Sequence, residues 1–152
     1  MKRLAMVLAI LVIGMFSPRQ IFAYQEMQKD GAITLSRYKF GDDESKKNLI
    51  VLGDKVVFKV NAYIEDFFKD TIINANAKII NMTDDPMQAI YFITFYDEQN
   101  NVVGAHATNW TLKPQGDINY GSALIKGKEE DFRRVKKYKL QICYYKTVPE
   151  KK

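Results

Sequence analysis

The chain of 152 residues holds one cysteine, one histidine and one tryptophan, and each scarcity removes a class of chemistry. A lone Cys143 excludes an intramolecular disulfide, so packing must stabilise the fold. His106 and Cys143 together fall short of the roughly four ligands of a structural zinc site. No Gly-x-Ser-x-Gly elbow occurs, and the eight glycines are scattered singly, so no phosphate-cradling loop is present. No apolar run reaches the ~20 residues that span a bilayer.

The longest such run, 13 residues at positions 4–16, follows Lys2 and Arg3 and precedes Pro18, Arg19, Gln20 and Ala23. That layout predicts a secretory signal peptide over residues 1–23, with Tyr24 first in the mature chain, although Ile21 is bulkier than cleavage sites prefer. Export to a periplasmic or secreted location follows, with membrane attachment only if the segment stays uncleaved. The formal charge of +5 then falls to +2, because three of the 23 basic residues and none of the 18 acidic ones lie in that segment. The densest basic run, Arg133, Arg134, Lys136, Lys137 and Lys139, directly follows Glu129, Glu130 and Asp131. Such mutual compensation predicts a solvated surface and no nucleic-acid partner.

Residues 24–31 are polar and read as a flexible leader, and residues 147–152 as a polar tail, leaving one β domain over 32–146. Strand-length apolar runs recur through that domain with turn punctuation between them. They predict strands at 32–40, 49–52, 55–65, 71–81, 88–97, 102–112, 118–126 and 138–145, with Gly53-Asp54 as a two-residue turn. Val56, Phe58, Val60, Ala62 and Ile64 alternate with polar neighbours, as do Ile73, Ala75, Ala77 and Ile79, so each of these strands has one buried face. Residues 88–97 are apolar on both faces, as in a central strand. Glu129 with Arg133 and Glu130 with Arg134, each four apart, predict a short helical turn near 129–137.

The segments AKIINMTDDP (77–86), ITFYDEQNNVVG (93–104), LKPQGD (112–117) and YKLQI (138–142) resemble the FxLYD-type immunoglobulin-like domains of bacteria and archaea, over about half the chain. Ile93 stands where the family's name gives phenylalanine, and Gln115 separates the proline from the glycine. The resemblance implies an immunoglobulin-like β-sandwich of about seven or eight strands, used as a scaffold of the cell exterior, with no catalytic motif.

Chemistry must still be argued from residues. His106 and Cys143 form the only conceivable thiol–imidazole pair, but a free cysteine inside a strand usually serves as a small apolar residue. Residues 97–102 place oxygens at alternate positions yet put Val102 where a calcium loop needs glycine. Asp42-Asp43-Glu44 and Asp84-Asp85 could meet at one end of a sandwich, though acidic loop clusters are usually solvated. No catalytic residue, metal ligand or cofactor is therefore expected. Trp110 shares a strand face with Thr108 and Leu112, which suits a core ring better than a stacking platform for a ligand. Phe67 and Phe68 are adjacent within the charged run 65–70, where extended neighbours point to opposite sides and burying both is awkward. They are the candidate partner contact. The expected function is a non-catalytic binding or structural module of the cell envelope, whose partner is an envelope protein or a glycan. The alternative is a ligand carrier or carbohydrate-binding domain that uses Trp110 and tyrosines.

Overall fold

The computed structural model describes residues 24–38 and 48–147. The expected signal segment, Asp42-Asp43-Glu44 and residues 148–152 lie outside them. Among the described residues eight strands form in order: β1 (Gln25–Ala32), β2 (Leu49–Leu52), β3 (Val56–Phe67), β4 (Asp70–Asn81), β5 (Met87–Tyr96), β6 (Val102–Leu112), β7 (Asp117–Gly127) and β8 (Lys137–Lys146), with a helical turn α1 (Glu129–Phe132) before the last. They build a β-sandwich of two antiparallel sheets, ordered β1-β8-β5-β6 and β2-β3-β4-β7.

The connectivity is immunoglobulin-like. In that fold's lettering, β3, β4 and β7 stand as A, B and E in one sheet, and β6, β5 and β8 as C′, C and F in the other. The position of strand G, beside F, is taken by β1 from the opposite end of the chain. Alternation dictates the core: Val56, Phe58, Val60, Ala62 and Ile64 of β3 face Ala89, Tyr91, Ile93 and Phe95 of β5, all nearly inaccessible. As its two-sided apolar pattern predicts, β5 is flanked by β6 and β8.

Residues 24–31 are not a flexible leader. All eight residues of β1 pair with β8, from Gln25 opposite Tyr144 to Ala32 opposite Lys137. The backbone ladder holds this strand, and Met27 packs partly against the core. Its polarity is that of an edge strand, where Glu26, Lys29 and Asp30 discourage pairing with other chains.

The strand expected at 32–40 is likewise corrected for the residues described. Ile33 and Leu35 are buried as their alternation requires, but here the chain crosses between the sheets. Ile33 N donates to Lys136 O, then Ile64 N to Ser36 O and Tyr38 N to Ile64 O, leaving only a single parallel bridge between Arg37 and Ile64. The Gly53-Asp54 turn is also longer than expected, since Gly53, Asp54 and Lys55 all lie between β2 and β3. Gly53 has φ +90°, and a Cβ there would sit 2.1 Å from Val56 O.

Candidate functional site

The charged run 65–70 is the tip of the β3–β4 hairpin. Phe67 pairs with Asp70, which leaves Phe68 and Lys69 as a two-residue loop. Phe68 has φ +57° and Lys69 is not left-handed, the pattern of a type II′ turn, whose first position normally belongs to glycine. A bulky aromatic there is a conformational outlier. Phe68 is also 91% exposed and Phe67 43%, with their rings edge to face at 4.7 Å. Both expected contact residues therefore share one projecting tip.

Ion pairs brace the base of this tip. The Arg37 guanidinium binds the carboxylates of Asp66 on β3 and Glu129 on α1. Thr71 Oγ1 donates to Asp66 at 3.3 Å, Arg133 Nε donates to Glu129 at 3.0 Å, and Lys126 pairs with Asp70 at 2.5 Å. Hydrogen bonds from Arg133 and then Arg37 hold the Glu129 carboxyl below its usual range, and Asp66 with Glu129 pushes the Arg37 pKa further up. The crossing segment, the hairpin and the helical turn are thus tied through one arginine. Arg37 was not singled out by the sequence, because its partners lie 29 and 92 positions away.

At the same end of the sandwich, Asp97 is 1% exposed. Its carboxylate accepts hydrogen bonds from Asn101 N at 2.8 Å, Asn101 Nδ2 at 2.9 Å and Arg134 Nη2 at 3.0 Å. These donors, Asn101 foremost, hold its pKa below the usual range. The loop considered for calcium is a hairpin turn whose leading carboxylate already serves N–H donors. A cavity of about 220 Å³ beside it is lined by Asp97, Asn101, Val102, Lys126, Phe132 and Arg134.

Trp110 lies on the inward face of β6, where it stacks on Tyr91 and covers Gly121 of β7. One face and one edge of the indole are thereby occupied by the protein. His106 and Cys143 do not meet. His106 is opposite Ile93, a core residue, whereas Cys143 is opposite Ile90 on the outer face of the same sheet. The Cys143 thiol is half-buried, and desolvation followed by Glu26 raises its pKa. Among the described residues no three His, Cys, Asp or Glu side chains gather as a metal-holding group.

Fold and site together define an immunoglobulin-like sandwich with a braced aromatic hairpin at one end. No family model matches the chain, and no curated protein matches it. Among solved structures it is similar to the enzymatically active domain of bacteriophage CBA120 tailspike protein 4, at 14% identity and a TM-score of 0.25. The match covers 69% of this chain and 18% of the tailspike chain. A likeness that small carries no argument about chemistry.

Proposed function

We propose that this protein is an exported, non-catalytic β-sandwich module of the cell envelope that binds a partner protein through the Phe67–Phe68 hairpin tip. The observation that carries this reading is Phe68, 91% exposed and held at φ +57°. Placing a large apolar ring in water on a conformation that favours glycine costs stability that the edge contact with Phe67 offsets only in part, and such outliers concentrate at contact sites. A buried partner pocket would supply the remainder, since aromatic anchors dominate interface energetics.

The basic start and apolar run of residues 2–16 support export, and the resemblance to FxLYD-type domains supports an exterior scaffold. The test places a photo-crosslinking amino acid at position 68 in the native host, with an equivalent probe at Lys139 as the control. A discrete crosslinked species from position 68 alone, weakened by Phe67→Ala, is expected in the envelope fraction. Crosslinks that are diffuse, or equal at both positions, would remove the contact role.

A further inference from the structure

β6 and β7 end their sheets on the same side of the sandwich, where Trp110 covers Gly121 and Ile125 reaches over Gly104. Among the described residues each pairs on one side only, β6 with β5 and β7 with β4. Two rows of backbone N–H and C=O groups therefore point outward with no strand beside them. Such edges are templates for pairing with another chain, and proteins blunt them with charges, proline, bulges or brevity.

The opposite side of the sandwich is blunted in these ways. β1 carries Glu26, Lys29 and Asp30, and β2 is four residues long. β6 and β7 have eleven residues each, and neither 102–112 nor 118–125 contains a proline, lysine, arginine, aspartate or glutamate, in a chain that is 27% charged. The bulge of β6 is confined to its first residues, where Phe95 meets Gly104 and Tyr96 meets Val102. β7 keeps its register with β4 from Thr71 opposite Gly127 to Asn81 opposite Asp117. The charges at its two ends are engaged within the chain: Asp117 accepts from Lys113 N and Asn119 Nδ2, and Lys126 pairs with Asp70.

This strand also exposes large apolar side chains at alternate positions, Ile118 at 45%, Tyr120 at 69% and Leu124 at 38%. All three lie on one face.

We infer that two copies of this chain join through this side of the sandwich, with β7 pairing antiparallel with its own copy about a twofold axis through Gly121. In that register Ile118 stands opposite Leu124 of the second copy, and Tyr120 opposite Ser122. The exposed aliphatic groups cover one another, and the bulky ring meets a small side chain. Moving the axis to Ser122 would set Ile118 against Lys126. The same twofold brings the β6 edge up to its own copy, which is the reason to assign a second copy as the occupant. A lone extended peptide would add to one edge and leave the other bare, whereas the twofold closes both and does not propagate. Strands of this length span about 35 Å, and two layers are roughly 20 Å deep. That gives on the order of 700 Å² per copy, close to the ~800 Å² per partner of a standard stable interface. Thr71, at the base of the hairpin tip, pairs with Gly127 at the end of β7, so the dimer carries its two tips at opposite ends. The dimer itself does not depend on what the tips bind.

Sedimentation equilibrium of the mature protein tests this from micromolar to millimolar concentration, where a monomer–dimer equilibrium with dimer predominating at the upper end is expected. Ile118→Lys combined with Leu124→Lys sets like charges opposite each other across the axis, and should raise the dissociation constant roughly tenfold or more. Ile118→Lys combined with Leu124→Glu sets opposite charges at the same places and should recover most of that loss. Within one copy these positions are about 20 Å apart along the strand, too far to pair. Thermal unfolding at micromolar concentration confirms that both double variants, altered at exposed positions, still fold. Phe68→Ala should leave the dimer intact. The inference is overturned by a monomer at every concentration, by a dimer indifferent to the double lysine variant, by no recovery with Leu124→Glu, or by a dimer lost in Phe68→Ala, which would move self-association to the hairpin tip.

Discussion

Trp110 stacks on Tyr91 with ring centroids 4.9 Å apart and planes 7° from parallel. The pair bridges β6 and β5, and the indole edge reaches over the glycine of β7 that lies across the sandwich seam. An added Cβ at Gly121 would sit 2.2 Å from Trp110 Cζ2, so the absence of a side chain on one sheet makes room for the ring on the other.

This seam gives the first prediction. Trp110→Ala should destabilise by about 3 kcal/mol, and Gly121→Ala by about 1–3 kcal/mol through overpacking. Urea unfolding measures both. A Trp110→Ala variant of native stability that loses a saccharide ligand would return the indole to the role of a stacking platform.

The hairpin gives the second. Phe68→Gly removes the left-handed penalty of a non-glycine residue, roughly 1–2 kcal/mol, and loses the edge contact with Phe67, worth about 0.5–1.5 kcal/mol. The unfolding free energy should stay level or rise slightly, while the position-68 crosslinking partner loses affinity. A drop of the ~3–5 kcal/mol typical of a core phenylalanine would show that the ring closes the sandwich end instead.

Asp97 gives a prediction in pH. Its folded pKa is depressed by Asn101 and Arg134, so its stabilising effect is complete above the pKa of the unfolded carboxyl. That contribution fades as pH falls through the lower, folded value. Thermal midpoints measured on descending from neutral pH should fall less steeply in Asp97→Asn than in the parent. Arg134→Gln should shift the acid limb toward higher pH, since it removes one of the groups that hold the carboxylate ionised. Parallel acid limbs in all three proteins would show that other carboxyls control it.

Cys143 gives the last. Half burial and Glu26 both disfavour its thiolate, and the thiolate is the reactive form. A disulfide reagent at neutral pH should label it slowly, with the rate rising on denaturation and with pH beyond the range of an ordinary thiol. Fast labelling of the native protein would reopen a redox role.

Much of the sandwich was legible because its central strands carry their own signal. Val56 to Ile64 and Ile73 to Ile79 alternate with period two, and a pleated strand with one buried face allows no other register. Glu129 and Arg133 likewise announced a helical turn through a spacing internal to it. Even the outward-facing positions Asn61, Asn74 and Asn76 could be assigned from alternation alone, although Asn74 proves to be buried on that face. What alternation could not supply was their company: only the pairing of β3 with β4 brings Asn61 beside Asn76 and Lys59 beside Lys78.

The tertiary structure alone decided matters that depend on distant partners. Residues 25–32 form a strand because a backbone ladder with β8, more than a hundred positions away, satisfies their N–H and C=O groups. Backbone pairing leaves no mark on side-chain polarity, and at a sheet edge polar side chains are the ones that suit. Arg37 joins three elements for the same reason, through ion pairs that sequence spacing does not constrain. The turn at Phe68 and Lys69 carries none of the glycine or asparagine that normally marks a primed turn, so its geometry is imposed by the register of the two long strands that meet there. The sequence by itself determined which faces are buried; the fold determined which exposed residues stand together.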